Sequence, residues 1–138
     1  MLKRRAVTED QVAAAKRTLN APEPDSLGDR DWLESDTIVT LSEMPLERET
    51  QIQAMRIGDV GLVGIPGEVF VEFGLDIKWR SPFARPLVSE LANDDIQYIP
   101  TAAAIDQGSY ETYTTLWPRG TGEAMADTAV GLLAELAD

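Results

Sequence analysis

The chain contains neither cysteine nor histidine. Without cysteine there are no disulfides, no thiolate catalysis and no cysteine-bound metal. Without histidine the commonest general base and the commonest transition-metal ligand are gone, and this chain alone cannot supply a Ser-His-Asp arrangement. A metal held here would have carboxylate, carbonyl, hydroxyl or phenolate ligands unless others came from elsewhere. Long apolar runs are missing too: nothing approaches the roughly 18 residues that would span a bilayer. The basic start, Met1-Leu-Lys-Arg-Arg-Ala-Val7, is not followed by the apolar core of a signal peptide. A soluble, cytoplasmic chain is therefore expected from the sequence as written. Bases are scarce, 12 against 24 acids for a net charge of -12. That balance argues against a nucleic-acid partner and an anionic membrane surface. The acids are spread along the chain, as on a solvated surface.

What is present, 138 residues of which 43% are hydrophobic, predicts one domain able to bury a single core. Residues 1–46 read as a helical N-terminal segment and linker, and 47–138 as an α/β core. The core is organised around Met55 to Lys78. Gly58-Asp59 suits a hairpin connection, and Val60 to Ile65 is a short apolar run typical of a strand buried on both faces. Pro66-Gly67 ends that strand. Val69, Phe70, Phe73 and Ile77 then recur at helical spacing, which places Glu68 in the first turn of a helix just past a buried strand. Ligands of α/β sheets bind at the carboxyl ends of strands, and a helix start stabilises a carboxylate. Glu68 thus reads either as an ionised ligand or base, or simply as a helix-start acid.

On either side the pattern is plainer. Thr8 and Gln11 form a capping box opening a helix over 8–20, with Val12, Ala15 and Leu19 on one narrow face. Ala21 to Asp29 is a linker by composition. Asp31 to Met44 mixes helical spacing with the strand-favouring Thr37-Ile-Val-Thr40 and is read as a helix. Glu47 to Ile57 reads as a strand. Leu87 to Ala92 is the expected parallel partner in a βαβ unit. Asn93-Asp94-Asp95 signals a turn, and Ile96 to Ile99 a short strand. Thr101 caps a short helix to Gln107. Thr121 caps a C-terminal amphipathic helix whose apolar face is Met125, Ala129, Leu132, Leu133 and Leu136. The expected fold is α/β: a small mixed sheet with a β-hairpin, a central helix after the Pro-Gly break, and the C-terminal helix packed on it.

Between Gly108 and Gly120 lies an irregular stretch carrying Tyr110, Tyr113, Trp117 and Arg119. Loops of this length are functional or disordered more often than short ones. Its rings either plug a small core from outside or hold a phenol near the strand ends beside Glu68. A second oxygen cluster, Asp94, Asp95 and Asp106, offers a hard-cation alternative for Mg²⁺ or Ca²⁺, against the plainer reading of solvated turn acids.

Residues 53–83, built around Gly64-Ile-Pro-Gly-Glu-Val-Phe70, together with Leu91-Ala-Asn93, Tyr98-Ile-Pro-Thr101, Gly108-Ser-Tyr-Glu111 and Gly120-Thr-Gly-Glu123, resemble the C-terminal part of the catalytic region of neutral/alkaline ceramidase-like proteins. The likeness covers roughly residues 50–136. It implies a zinc amidase that cleaves the N-acyl bond of ceramide, with metal bound by two histidines, a glutamate and a tyrosine. By resemblance the glutamate is Glu68 and the tyrosine Tyr110; Tyr113 and Arg119 are further candidates in the same loop. The two histidines belong to sequence that this chain lacks. Asp94, Asp95 and Gln97 stand where smaller or glycine-rich residues are expected. The resemblance therefore implies half a zinc site, inactive alone and holding no cofactor by itself, completed by a missing N-terminal catalytic portion and acting on a lipid-like amide. The competing expectation is a non-catalytic α/β module that works by self-association or partner binding.

Overall fold

The computed structural model describes residues 1–21 and 30–137; most of the linker read from composition, residues 22–29, lies outside them. Its centre is the hairpin of β3 (Gln53–Ile57) and β4 (Val60–Gly64), joined through Gly58 at φ 62. β4 also pairs in parallel with β6 (Arg85–Ser89), giving a three-stranded mixed sheet in the order β3-β4-β6. Between β4 and β6 the chain passes through α3 (Val71–Arg80), the βαβ crossover. Gly61, Val63 and Ile65 are buried, while Val60, Leu62 and Gly64 are only half-buried. β4 is thus covered fully on one face rather than on both.

Pro66-Gly67 does more than end a strand. Gly67 has φ 75, and a Cβ there would lie 2.6 Å from Ile96 Cγ1 and 2.7 Å from the Gln97 carbonyl. Only glycine fits both that conformation and that closeness. The turn steers the next residues away from the first sheet and into a second ladder, β5 (Glu68–Val69) parallel to β7 (Tyr98–Ile99). The Glu68 amide donates to the Gln97 carbonyl at 3.0 Å, and the Phe70 amide to Ile99 at 3.2 Å. Glu68 is therefore a strand residue, not part of the first helical turn expected from sequence, and the helix-dipole argument for it falls. The helix begins three residues later, with Phe70 as N-cap.

The helices otherwise follow the sequence closely. α1 (Glu9–Leu19) carries the Thr8–Gln11 capping box, with Gln11 N–H donating to Thr8 Oγ1 and Thr8 N–H to Gln11 Oε1. It packs on α2 (Arg30–Glu43), which buries Leu33 and Leu41. The strand expected over 47–57 is two pieces. Its first residues form β2 (Glu47–Arg48), paired antiparallel with β1 (Leu2–Lys3), a strand the sequence did not signal. The helix α4 (Ala102–Gln107) is capped by Thr101, whose Oγ1 accepts from Ala104 N–H. The stretch 108–120 is not irregular throughout, because it contains α5 (Tyr110–Thr114). In α6 (Thr121–Ala137) Thr121 is the first helical residue, and its hydroxyl donates to the Pro118 carbonyl instead of capping the helix N-terminus.

The buried core joins Val63 and Ile65 of the sheet side with Phe73 and Ile77 of α3, Met125, Ala129 and Leu133 of α6, and Trp117. The C-terminal helix packs against α3 and the hairpin as the sequence predicts. Among the described residues no helix is long and apolar enough to cross a membrane.

Candidate functional site

The cross-strand register sets Glu68 directly beside Tyr98. Parallel neighbours point to the same face of the ladder, and the two side chains interact. The Glu68 carboxylate holds the Tyr98 phenol above its ordinary pKa, by its charge first, with burial next and a hydrogen bond from the hydroxyl to Glu68 after that. Tyr98 is thereby kept protonated, a donor to the carboxylate.

Tyr110 arrives from a different element. The Thr115 hydroxyl donates to the Tyr98 carbonyl at 2.7 Å, and the buried Trp117 indole N–H to the Ile96 carbonyl at 2.6 Å. These two bonds fix the segment after α5 against β7. The ring of Tyr110, at the start of α5, then meets Tyr98 edge-on, with centroids 6.0 Å apart and planes at 79°. Such an edge-to-face arrangement is favourable for aromatic pairs. Tyr110 remains 51% exposed, so its phenol faces solvent on one side.

The next residue, Glu111, adds a second carboxylate near Tyr98 and contributes to raising its pKa. The Ser109 hydroxyl, followed by the residue's own backbone N–H, holds Glu111 below the usual carboxylate range, burial opposing them. Glu68, Tyr98, Tyr110 and Glu111 thus form one oxygen-rich cluster, with two carboxylates and two phenols drawn from β5, β7 and α5. The two arginines that could have neutralised Glu68 pair elsewhere: Arg80 binds Asp76 at 2.8 Å and Asp127 at 2.7 Å, and Arg85 lies 3.7 Å from Asp59.

The other sequence candidates lie elsewhere. Tyr113 and Arg119 line a cleft of about 390 Å³ whose walls include neither Glu68, Tyr98 nor Tyr110. Asp94, Asp95 and Asp106 are not assembled. Asp94 bonds Arg48 at 2.7 Å, Asp95 accepts from the Gln97 amide, and Asp106 pairs with Arg119. Among the described residues no three His, Cys, Asp or Glu side chains are grouped to hold a metal. The hard-cation reading is therefore corrected: each of these acids is occupied by a base or by a turn amide.

Sequence reasoning singled out neither Tyr98 nor Glu111 as a functional side chain. Tyr98 carried only a weak signal, an aromatic in a two-residue strand after a turn. Its pairing with Glu68 comes from a ladder that local periodicity does not show.

Two solved structures are similar to this chain. One is the neutral ceramidase from Pseudomonas aeruginosa, with a TM-score of 0.56 and 26% identity over 62% of this chain and 15% of that one. The other is a ceramidase complexed with C2, with the same TM-score and identity over 62% of this chain and 14% of that one. The chain thus spans only a small part of the length of the ceramidases it matches. No protein-family model and no curated protein matches it. The resemblance read from the Pro66-Gly67-Glu68 block is borne out: the chain is ceramidase-like.

Proposed function

We propose that this chain is the part of a ceramidase-like, metal-dependent amidohydrolase that supplies Glu68 and Tyr110 as oxygen ligands, the nitrogen ligands coming from sequence outside it. The observation that carries this reading is the convergence of both residues on Tyr98, from elements far apart in the sequence. The donor chemistry fits half a site. A carboxylate and a phenol are suitable ligands for zinc, but with no histidine in the chain the set is incomplete. Zinc, when bound, would supply a Lewis acid that polarises an amide carbonyl and lowers the pKa of water.

The residues of the chain have distinct tasks in this reading. Tyr98, kept protonated, donates to one side of the Glu68 carboxylate and fixes its orientation, the usual work of a hydrogen-bonded outer partner. Tyr110, which must lose its proton to ligate, presents its phenol from the solvent-exposed edge of the same cluster. The Ser109 hydroxyl holds Glu111 below its ordinary pKa. The substrate class is an N-acyl amide with a lipid-like chain, and the isolated chain is inactive.

The test is a calorimetric zinc titration of the purified chain with and without imidazole, which stands in for the absent histidines. Zinc alone binds weakly, imidazole tightens it, and Glu68→Ala removes the gain. Micromolar or tighter binding without imidazole, or a gain that survives Glu68→Ala, contradicts the half-site.

One observation favours the second reading, a module that works by association. Val71, Leu75 and Trp79 form an apolar stripe at helical spacing along α3, and Trp79 is 90% exposed. Exposed apolar stripes of this kind mark interaction surfaces. A chain that is dimeric in sedimentation and shows no zinc response supports this reading over the first.

A further inference from the structure

A cluster of arginines sits away from the oxygen cluster. Arg5, Arg30 and Arg119 line the 390 Å³ cleft, together with Glu34, Asp106, Tyr113 and the Gly108 turn. Among the described residues its lining carries three guanidinium groups and two carboxylates, and Asp31 also acts on Arg30, in a chain whose net charge is -12. That gathering of planar donors in an acidic chain is the first observation. The volume falls within the range of small-molecule pockets, about 300–1,000 Å³.

The second observation is that the cleft is lined by arginines held at their guanidinium ends. Arg5 Nη1 donates to the Thr115 carbonyl at 3.0 Å, and Arg119 Nη2 to the Ala102 carbonyl at 2.7 Å while also pairing with Asp106. Arg30 Nε donates to Glu34 at 3.0 Å while its guanidinium lies over the Tyr113 ring, 5.2 Å from the centroid. A guanidinium carries five N–H donors in a planar fork, so these partners orient each group and leave further N–H donors.

The third concerns shape. Gly108 has φ 75, and a Cβ on it would lie 2.5 Å from the Tyr113 hydroxyl. The missing side chain lets that phenol settle against the turn, and the ring with Ile105 and Pro118 forms an apolar wall beside the cations. Charge on one side and an apolar wall on the other select a ligand with the same division.

We propose that this cleft is a binding site for a small organic monoanion, its oxyanion held by Arg5, Arg30 and Arg119 and its flat apolar body resting against Tyr113. Fork-like donors match carboxylate geometry, and the apolar wall matches a flat organic body. The site is independent of the zinc reading, since it shares no lining residue with the oxygen cluster.

The experiment is an NMR titration of the ¹⁵N-labelled chain with benzoate, with benzamide as the neutral isostere and inorganic phosphate as the bare oxyanion. Benzoate gives saturable shifts at Gly108, Thr112 and Thr115, with a Kd on the order of millimolar or tighter. Benzamide and phosphate bind at least about tenfold more weakly, and added salt weakens benzoate. Arg30→Ala and Arg119→Ala, each checked for an otherwise parental spectrum, each weaken benzoate by about tenfold, the scale of a lost charge-assisted hydrogen bond. No saturable benzoate shift overturns the proposal. So does phosphate binding as tightly as benzoate, or benzoate binding that ignores both substitutions.

Discussion

The short helix α5 carries a tyrosine into each of two unlike places. Tyr110 reaches a cluster of carboxylates and phenols; Tyr113, three residues on, lies under a guanidinium in a cleft lined by three arginines. Both rings are anchored by the same few bonds, from Thr115 and Trp117 to the carbonyls of β7 and the turn before it. What differs is the charge of the groups brought opposite. The lesson is that one rigid support sets positions, while remote segments set chemistry: β5 brings the acid to one side, and the N-terminal residues with α2 bring the bases to the other.

The largest expected effect breaks both sides at once. Trp117 is 2% exposed and its indole N–H bonds Ile96 at 2.6 Å. Trp117→Ala should cost about 3–5 kcal/mol, as large aromatic truncations do, measured by denaturant unfolding. Selective loss of one site with the other intact would show that the support is not shared. Gly67→Ala should act on the acidic side first. It forces a Cβ into Ile96 and the Gln97 carbonyl at a left-handed backbone position, and should destabilise by more than about 1 kcal/mol, with amide exchange rising along β5 and β7 before the arginine cleft.

Glu68→Gln tests the electrostatics with little change in fold. In the parent chain the Tyr98 phenol ionises above the ordinary value of about 10, and removing the neighbouring charge should bring it down. The sign follows from linkage. A phenol with a raised folded-state pKa contributes stability that is complete below the unfolded value and lost as pH rises through the folded one. Spectrophotometric titration should therefore show one high-pH tyrosine that disappears in the variant. Glu111 runs the other way. Its depressed pKa contributes stability above the ordinary carboxylate value and loses it as pH falls through the lowered one. Ser109→Ala should flatten that acid-side loss in a pH series of melting temperatures. The smallest effect is Arg30→Ala, an exposed i,i+4 pair with Glu34: melting near that of the parent, but a weakened anion response.

Much of this architecture was legible from residues alone, where short-range rules dominate. The Thr8–Gln11 box, the Gly58-Asp59 hairpin, the Thr101 cap and the C-terminal amphipathic helix are local signals, and each element stands where its pattern put it. The failures were non-local. Glu68 was assigned to a helix because Val69, Phe70 and Phe73 share its spacing, yet the parallel ladder with Tyr98 claims it for a strand. β1 was invisible because two residues carry no period, and its partner lies beyond α2. The pattern marks Tyr110 only as one of two loop phenols, and the resemblance alone sets it apart from Tyr113. The pairing that surrounds it depends on Thr115 and Trp117 reaching carbonyls about twenty residues back.

The central claim is that Glu68 and Tyr110 act as a pair of oxygen donors facing one point. Its most direct test is anomalous diffraction at the zinc edge from crystals of the chain grown with zinc and imidazole. The account predicts a peak within bonding distance of both the Glu68 carboxylate and the Tyr110 phenol, absent in crystals of Glu68→Ala. Zinc bound only at other acids, or side chains of Glu68 and Tyr110 directed to separate surfaces, would contradict it.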